Sequence, residues 1–235
     1  MKKLILSLYL AVAIGFMTAV ALCAQALNSP QTVASFYDGG MKIVLDAGHG
    51  GIDGGVTGKT TGVKESDLNL SITMALKDTL EDMGFEVTLT RKTSAGLYGA
   101  ATKGFKRRDM EKRKEIIQKA DPTLVLSIHQ NFYPSRSSRG AQVFYNRLDE
   151  RGKRLALKTQ ERLNEFYQTE NAKPRNAMVG EYFMLDCSSA PSIIVECGFL
   201  SNESDEKLLT SEIGQKRLVS AIAAGVIEYL SDSVS

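Results

Sequence analysis

The sequence holds two histidines, and each follows an apolar run: Ile43-Val44-Leu45-Asp46-Ala47-Gly48-His49 and Leu124-Val125-Leu126-Ser127-Ile128-His129. Continuous apolar runs of this length read as strands covered on both faces, which puts both imidazoles at strand carboxyl ends. In open α/β sheets ligands bind beyond that edge, so two imidazoles distant in sequence can meet there. Taken singly, either histidine is an ordinary hydrogen-bonded residue; their shared placement favours a joint site. Glu65 stands at the start of a helical pattern, beside Ser66 and Asp67, either of which can cap it, and so points to the same edge. The helix dipole alone favours an acid there, so Glu65 reads equally as a third ligand or as a helix-start charge. Two imidazole nitrogens and one carboxylate oxygen, with water in the fourth place, form a catalytic rather than a structural zinc site, one Zn2+ per chain.

Glu196 is the fourth reactive candidate. It follows Ser192-Ile193-Ile194-Val195 in a strand that reads as buried on both faces, where a carboxylate is expensive unless a cation, a metal or a hydrogen bond compensates it. An internal salt bridge is the bland reading. Beside a metal, the same carboxyl could take a proton from water and pass it to a leaving amine. Glycines at 48, 50, 51, 54 and 55 surround His49 and suit a tight turn passing close to a bound group, or a mobile loop. A phosphate cradle is excluded, because neither the Gly-Lys-Ser/Thr ending nor the dinucleotide spacing is present.

Elements that could position these residues follow in an alternating order. Strands are predicted at Lys42 to Asp46, Phe85 to Thr90, Leu124 to His129, Ala141 to Tyr145, Tyr182 to Leu185 and Ser192 to Cys197. Helices are predicted from Ser66 to Met83, Arg107 to Ala120, Glu150 to Tyr167 and over the C-terminal stretch. The order is α/β: a single domain whose central sheet is mostly parallel, with helices on both faces. The basic run Lys103 to Lys114 carries Asp109 and Glu111 at helical spacing and reads as a solvated helix face. Thr93 to Phe105 is a Gly-rich, aromatic-containing loop, either plain surface or the border of a substrate groove.

With 235 residues, 43% of them hydrophobic, the chain can bury one sizeable core. Residues 1–27 read as a signal peptide or membrane anchor: Lys2 and Lys3 give a positive start, Leu4 through Leu27 carries no charge, and Ala24-Gln25-Ala26 is a small-residue cleavage pattern. Export to the cell envelope follows, with membrane contact only through this segment. Residues 28–40 read as a linker and 41–235 as the catalytic domain. Beyond residue 27 basic and acidic side chains are equal in number, so the excess positive charge that drives phosphate-backbone binding is missing and a nucleic-acid role is unsupported. Cys187 and Cys197 are too few for a disulfide framework, and nothing in their spacing argues for a bridge.

Four segments together carry a family resemblance: Leu45-Asp46-Ala47-Gly48-His49-Gly50-Gly51, Glu65-Ser66-Asp67-Leu68-Asn69-Leu70, Ser127-Ile128-His129-Gln130-Asn131 and Val195-Glu196-Cys197-Gly198-Phe199-Leu200-Ser201-Asn202. In this order they resemble the third family of zinc-dependent N-acetylmuramoyl-L-alanine amidases, from Met41 nearly to the end of the chain. The resemblance implies a mixed six-stranded sheet flanked by helices, His49, Glu65 and His129 as zinc ligands, and Glu196 as catalytic acid/base. It implies peptidoglycan as substrate, cut between N-acetylmuramic acid and L-alanine. Thr102 to Arg108 and Gly140 to Tyr145 are similar to the spore-cortex branch, the CwlD type. That implies a place in muramic lactam formation in the spore cortex or intermembrane space, or else in cell-wall remodelling, and an activating lipoprotein or a deacetylase as partner. Gln130 departs from the alanine usual after the second histidine and Ala47 from a common proline; both sit beside ligands and bear on substrate fit. The metal site alone does not choose among amide bonds, so a zinc peptidase or deacetylase of the wall, or a non-catalytic wall-binding activator, are the rival readings.

Overall fold

The computed structural model describes residues 40–232. The segment read as a signal peptide or anchor, the residues up to 39 of the predicted linker and the last three residues lie outside them. Strand β1 (Lys42–Ala47) is followed by helix α1 (Glu65–Asp82), β2 (Glu86–Leu89), α2 (Phe105–Ala120), β3 (Leu124–Asn131) and β4 (Gln142–Tyr145). Then come α3 (Glu150–Gln168), β5 (Met178–Val179), a 3-10 turn (Phe183–Asp186), β6 (Ser192–Phe199), α4 (Glu203–Thr210) and α5 (Glu212–Asp232). The six strands form one sheet in the order β2-β1-β3-β6-β4-β5. All neighbours run parallel except β4 and β6, so the expected α/β architecture with a mostly parallel, mixed sheet is the one observed.

The apolar runs explain the centre. Ile43, Val44, Leu45, Leu124, Leu126 and Val195 have no exposed surface, because the sheet is covered on both faces. Alternation along the pleat sends Val44, Val125 and Ile194 to one side, where they cluster with Ile117 of α2 and with Met184 and Leu185 of the 3-10 turn. Helices α1 and α3 pack against the sheet, and α5 packs on both of them. From β1 the chain crosses to β2 on one side and then back over β1 to β3 on the other. Right-handed crossovers in opposite directions place α1 and α2 on opposite faces. The reversal opens a crevice between the carboxyl ends of β1 and β3, the switch point where such sheets bind ligands.

Several local expectations are corrected. Tyr182 to Leu185 is not a strand: the 3-10 turn occupies it and β5 lies earlier, at Met178–Val179. A four-residue apolar run does not itself distinguish strand from helical turn. Here Met184 and Leu185 are buried side by side while Tyr182 and Phe183 stay exposed, a grouping that period-two alternation does not produce. The C-terminal helix is two helices, broken at Ser211 in an extended conformation, with Asn202 capping α4 by accepting from the amides of Ser204 and Asp205. Neither Ser66 nor Asp67 caps α1; Lys64 is the cap residue, no side chain bonds there, and Glu65 is the first helical residue. The run Lys103 to Lys114 is only partly solvated, since Asp109 and Arg113 are buried. Among the described residues no helix is long and apolar enough to cross a membrane.

Candidate active site

Three of the four sequence candidates meet at the switch point. Ligating atoms of His49, Glu65 and His129 lie within 4.8 Å of one another, a set that could hold a metal ion. Glu65 Oε1 is the hub, 3.2 Å from His49 Nε2 and 3.0 Å from His129 Nδ1. Burial by itself raises the Glu65 pKa, but the two imidazoles outweigh it and hold the carboxyl well below the usual range. His49 is shifted the other way: burial lowers its pKa, while Glu65 and Asp53 raise it above the ordinary value. Asp53 Oδ2 sits 3.1 Å from His49 Nδ1, on the ring atom turned away from Glu65.

The glycines now have specific reasons. A Cβ on Gly48 would lie 2.2 Å from Cε1 and Nε2 of His129, so only glycine lets that ring pack against the β1 turn. Gly55, at φ +65°, passes so close to Glu65 that a Cβ would lie 2.4 Å from Oε2. That oxygen accepts from the Val56 amide at 2.9 Å, which aims Glu65 inward from the first turn of α1.

Beneath the turn is a buried ionic layer that the sequence reading missed. Arg113 of α2 donates to Asp46 Oδ1 at 2.5 Å and to Asp109 Oδ2 at 2.6 Å, and Asp46 also accepts from Thr90 and Ser127. Burial alone raises the Asp46 pKa; Arg113 and the two hydroxyls reverse this and hold it below its ordinary value. Arg113 donates further to the carbonyls of Ala47 at 2.7 Å and His49 at 2.6 Å. Arg91, just beyond β2, is buried beside it, and desolvation together with the like charge of Arg113 pulls it down to about 10. The available signal was a charged residue inside or directly after an apolar strand, as with Asp46 and Arg91.

Glu196 reaches the same place from β6. It pairs in register with His129 on β3, and one residue later the register slips, Asn131 facing Phe199. Such a bulge bends the strand and re-aims side chains at the sheet's edge. Part of Glu196 opens to the cleft, but Oε2 is shut off from solvent and has no hydrogen-bond partner among the described residues. Desolvation, with a contribution from the Glu65 charge, pushes its pKa up to about 7. The internal salt bridge considered for it is absent from the ion pairs of the described residues.

A cleft of about 380 Å³ joins these groups, walled opposite by Tyr98, Phe105, Lys106, Tyr182, Phe183 and Met184. Of the two readings of the Thr93 to Phe105 loop, the one that borders a groove holds. Tyr98 stacks edge-on against Phe105, and its hydroxyl accepts from the Ile52 amide at 2.7 Å, tying this loop to the His49 loop. Cys187 and Cys197 are both buried and free.

Residues 43–228 match the N-acetylmuramoyl-L-alanine amidase family. The chain belongs to this family. It is 32% identical to the germination-specific N-acetylmuramoyl-L-alanine amidase of Bacillus subtilis, over 82% of this chain and 81% of that one. The fold is similar to that of the CwlD amidase of Clostridioides difficile, solved in complex with the GerS lipoprotein (TM-score 0.77, 36% identity, 82% of this chain and 99% of that one). It is also similar to the catalytic domain of the CwlV amidase from Bacillus (Paenibacillus) polymyxa (TM-score 0.70, 26% identity, 81% and 98%). The amidase is therefore a peptidoglycan hydrolase that acts on the bond between N-acetylmuramic acid and L-alanine. Its one cleft of this chemistry among the described residues is the one built on the two histidines.

Proposed function

We propose that this amidase is a zinc enzyme in which His49, Glu65 and His129 hold the ion and Glu196 moves the proton. The convergence of both histidines and Glu65 on one point carries this reading. The donor set fits, since two imidazole nitrogens and one carboxylate oxygen are the ligands of catalytic zinc sites. Asp53 adds the outer partner that fixes a ligating imidazole, leaving His49 Nε2 directed at the hub. Zinc bound there supplies Lewis acidity, polarising the lactyl carbonyl and acidifying water.

Glu196 does the proton work. A carboxyl without a partner, held near neutrality by burial, suits a group that accepts a proton from attacking water and returns it to the L-alanine nitrogen as the amide breaks.

The setting we propose is outside the cytoplasm, reached through residues 1–27, on spore peptidoglycan whose stem peptides are stripped for muramic lactam formation. The likeness to the germination-specific enzyme supports this. An activating lipoprotein is the partner we propose, supported by the complex of the similar CwlD amidase with GerS. The test is release of new L-alanine amines from purified peptidoglycan by the full chain, with zinc, after chelation, and after zinc is restored. Chelation should abolish release and zinc restore it; release that survives chelation sinks the zinc reading. Shortened stems or free acetate among the products would support the wall peptidase or deacetylase instead.

A further inference from the structure

Arg91 is 3% exposed, and no carboxylate pairs with it among the ion pairs of the described residues. Every hydrogen bond it makes there goes to a backbone carbonyl. Nε donates to Ala47 at 2.8 Å and Nη1 to Thr93 at 2.9 Å. Nη2 donates twice, to Gly48 at 3.0 Å and to Ser66 at 2.8 Å. Gly48 directly precedes His49, and Ser66 directly follows Glu65. One nitrogen thus bridges the carbonyls of the chain neighbours of His49 and Glu65, whose own side chains lie 3.2 Å apart at the metal cluster.

This arrangement is costly for the fold alone. No carboxylate bonds directly to this buried cation, which sits beside the second buried guanidinium of Arg113; the charges of Asp46, Asp109 and Asp67 offset only part of its desolvation. His49 also sits at φ +60°, a left-handed conformation that a residue with a Cβ keeps only where its surroundings over-determine it. The surroundings are the carbonyls on either side of its peptide units, taken by Arg91 at Gly48 and by Arg113 at His49. Asn69 supplies a parallel tie, its amide nitrogen reaching both Gly48 O and Glu65 Oε1.

We infer that Arg91 is a positioning residue for the metal site, its planar guanidinium fixing the separation of the His49 and Glu65 segments before any ion arrives. The inference rests on the zinc reading above. The fork is essential to it, because a lysine ammonium keeps the charge but is a point donor that does not span carbonyls in fixed geometry.

The experiment compares the full chain as wild type, Arg91→Lys and Arg91→Ala. Circular dichroism and melting are measured on the metal-free proteins, and zinc affinity by competition with a chromophoric chelator. Both variants should bind zinc roughly 10 to 100 times more weakly than wild type, the usual consequence of losing an outer-shell partner. Arg91→Lys should do so while still folding when metal-free. Wild-type affinity in Arg91→Lys overturns the inference, and so does the failure of both variants to fold without metal, which makes Arg91 a residue of the fold. Wild-type protein that binds no zinc instead overturns the metal reading itself.

Discussion

Replacing Glu196 by glutamine separates its chemistry from its place in the fold. An ordinary glutamate titrates near 4.5, whereas Glu196 titrates at about 7 because its Oε2 is desolvated and unpartnered. At roughly 1.4 kcal/mol per pH unit, keeping that carboxylate ionised costs the metal-free fold ~3 kcal/mol. The folded pKa lies above the unfolded one. The neutral carboxyl therefore carries no penalty below about 4.5, and stability is lost as pH rises through about 7. Glutamine has the same shape and no charge, so its contribution is independent of pH. Urea unfolding of both metal-free proteins at pH 5 and pH 8 should show Glu196→Gln gaining ~2.5 kcal/mol on wild type between the two, since part of the penalty is already present at pH 5. The raised pKa of His49 also makes stability fall with rising pH, but Glu65 and Asp53, which raise it, are present in both proteins, so this contribution largely cancels in the difference. In zinc-loaded protein the same variant should keep its metal while turnover falls by roughly two to four orders of magnitude. Unfolding curves that keep one offset at both pH values, with the variant less stable, would mean that Glu196 is a compensated structural charge and would refute the argument.

Arg113→Met should lower stability by about 3 to 5 kcal/mol, because it leaves the buried carboxylate of Asp46 without its ion pair; thermal melting checks this, and a melting point unchanged at pH 7 contradicts it. Gly48→Ala drives a methyl into the His129 ring, and the hydrogen bond that the Gly48 N–H donates to Ile128 O keeps the backbone from retreating. A stability loss of about 1 to 3 kcal/mol is expected, together with zinc below one per chain, and full metal content would count against this packing. Asp53→Asn should weaken zinc binding by roughly tenfold while barely moving the metal-free melting point, since the pair with His49 is partly exposed. Chelator competition reads the first and calorimetry the second; an unchanged affinity would remove Asp53 from the site.

Much of this protein is written locally. Continuous apolar runs ending in histidine announce strands buried on two faces and a site at their carboxyl ends, because hydrophobic period and strand polarity are properties of the chain itself. Glu196 stood out for the same reason, a carboxyl in a run that burial makes expensive. The limits of helices α1, α2 and α3 were legible to within about two residues for the same reason of period. Other features depended on partners distant in sequence. Whether Tyr182 to Leu185 became a strand or a 3-10 turn was decided by the cluster under α2 that took up Met184 and Leu185, not by the run's composition. Arg113 looked like one more solvated charge on a basic helix until packing set it 2.5 Å from Asp46, 67 residues away. Arg91 carried no periodic signal at all; its meaning is four backbone carbonyls that only the folded chain brings within reach of one guanidinium. The sequence by itself determined the reactive groups and the sheet edge where they emerge. Their distances, the desolvation that shifts Glu196, and the buried arginines that hold the His49 turn belong to the tertiary structure, because each is an interaction between segments that chain propensity does not join.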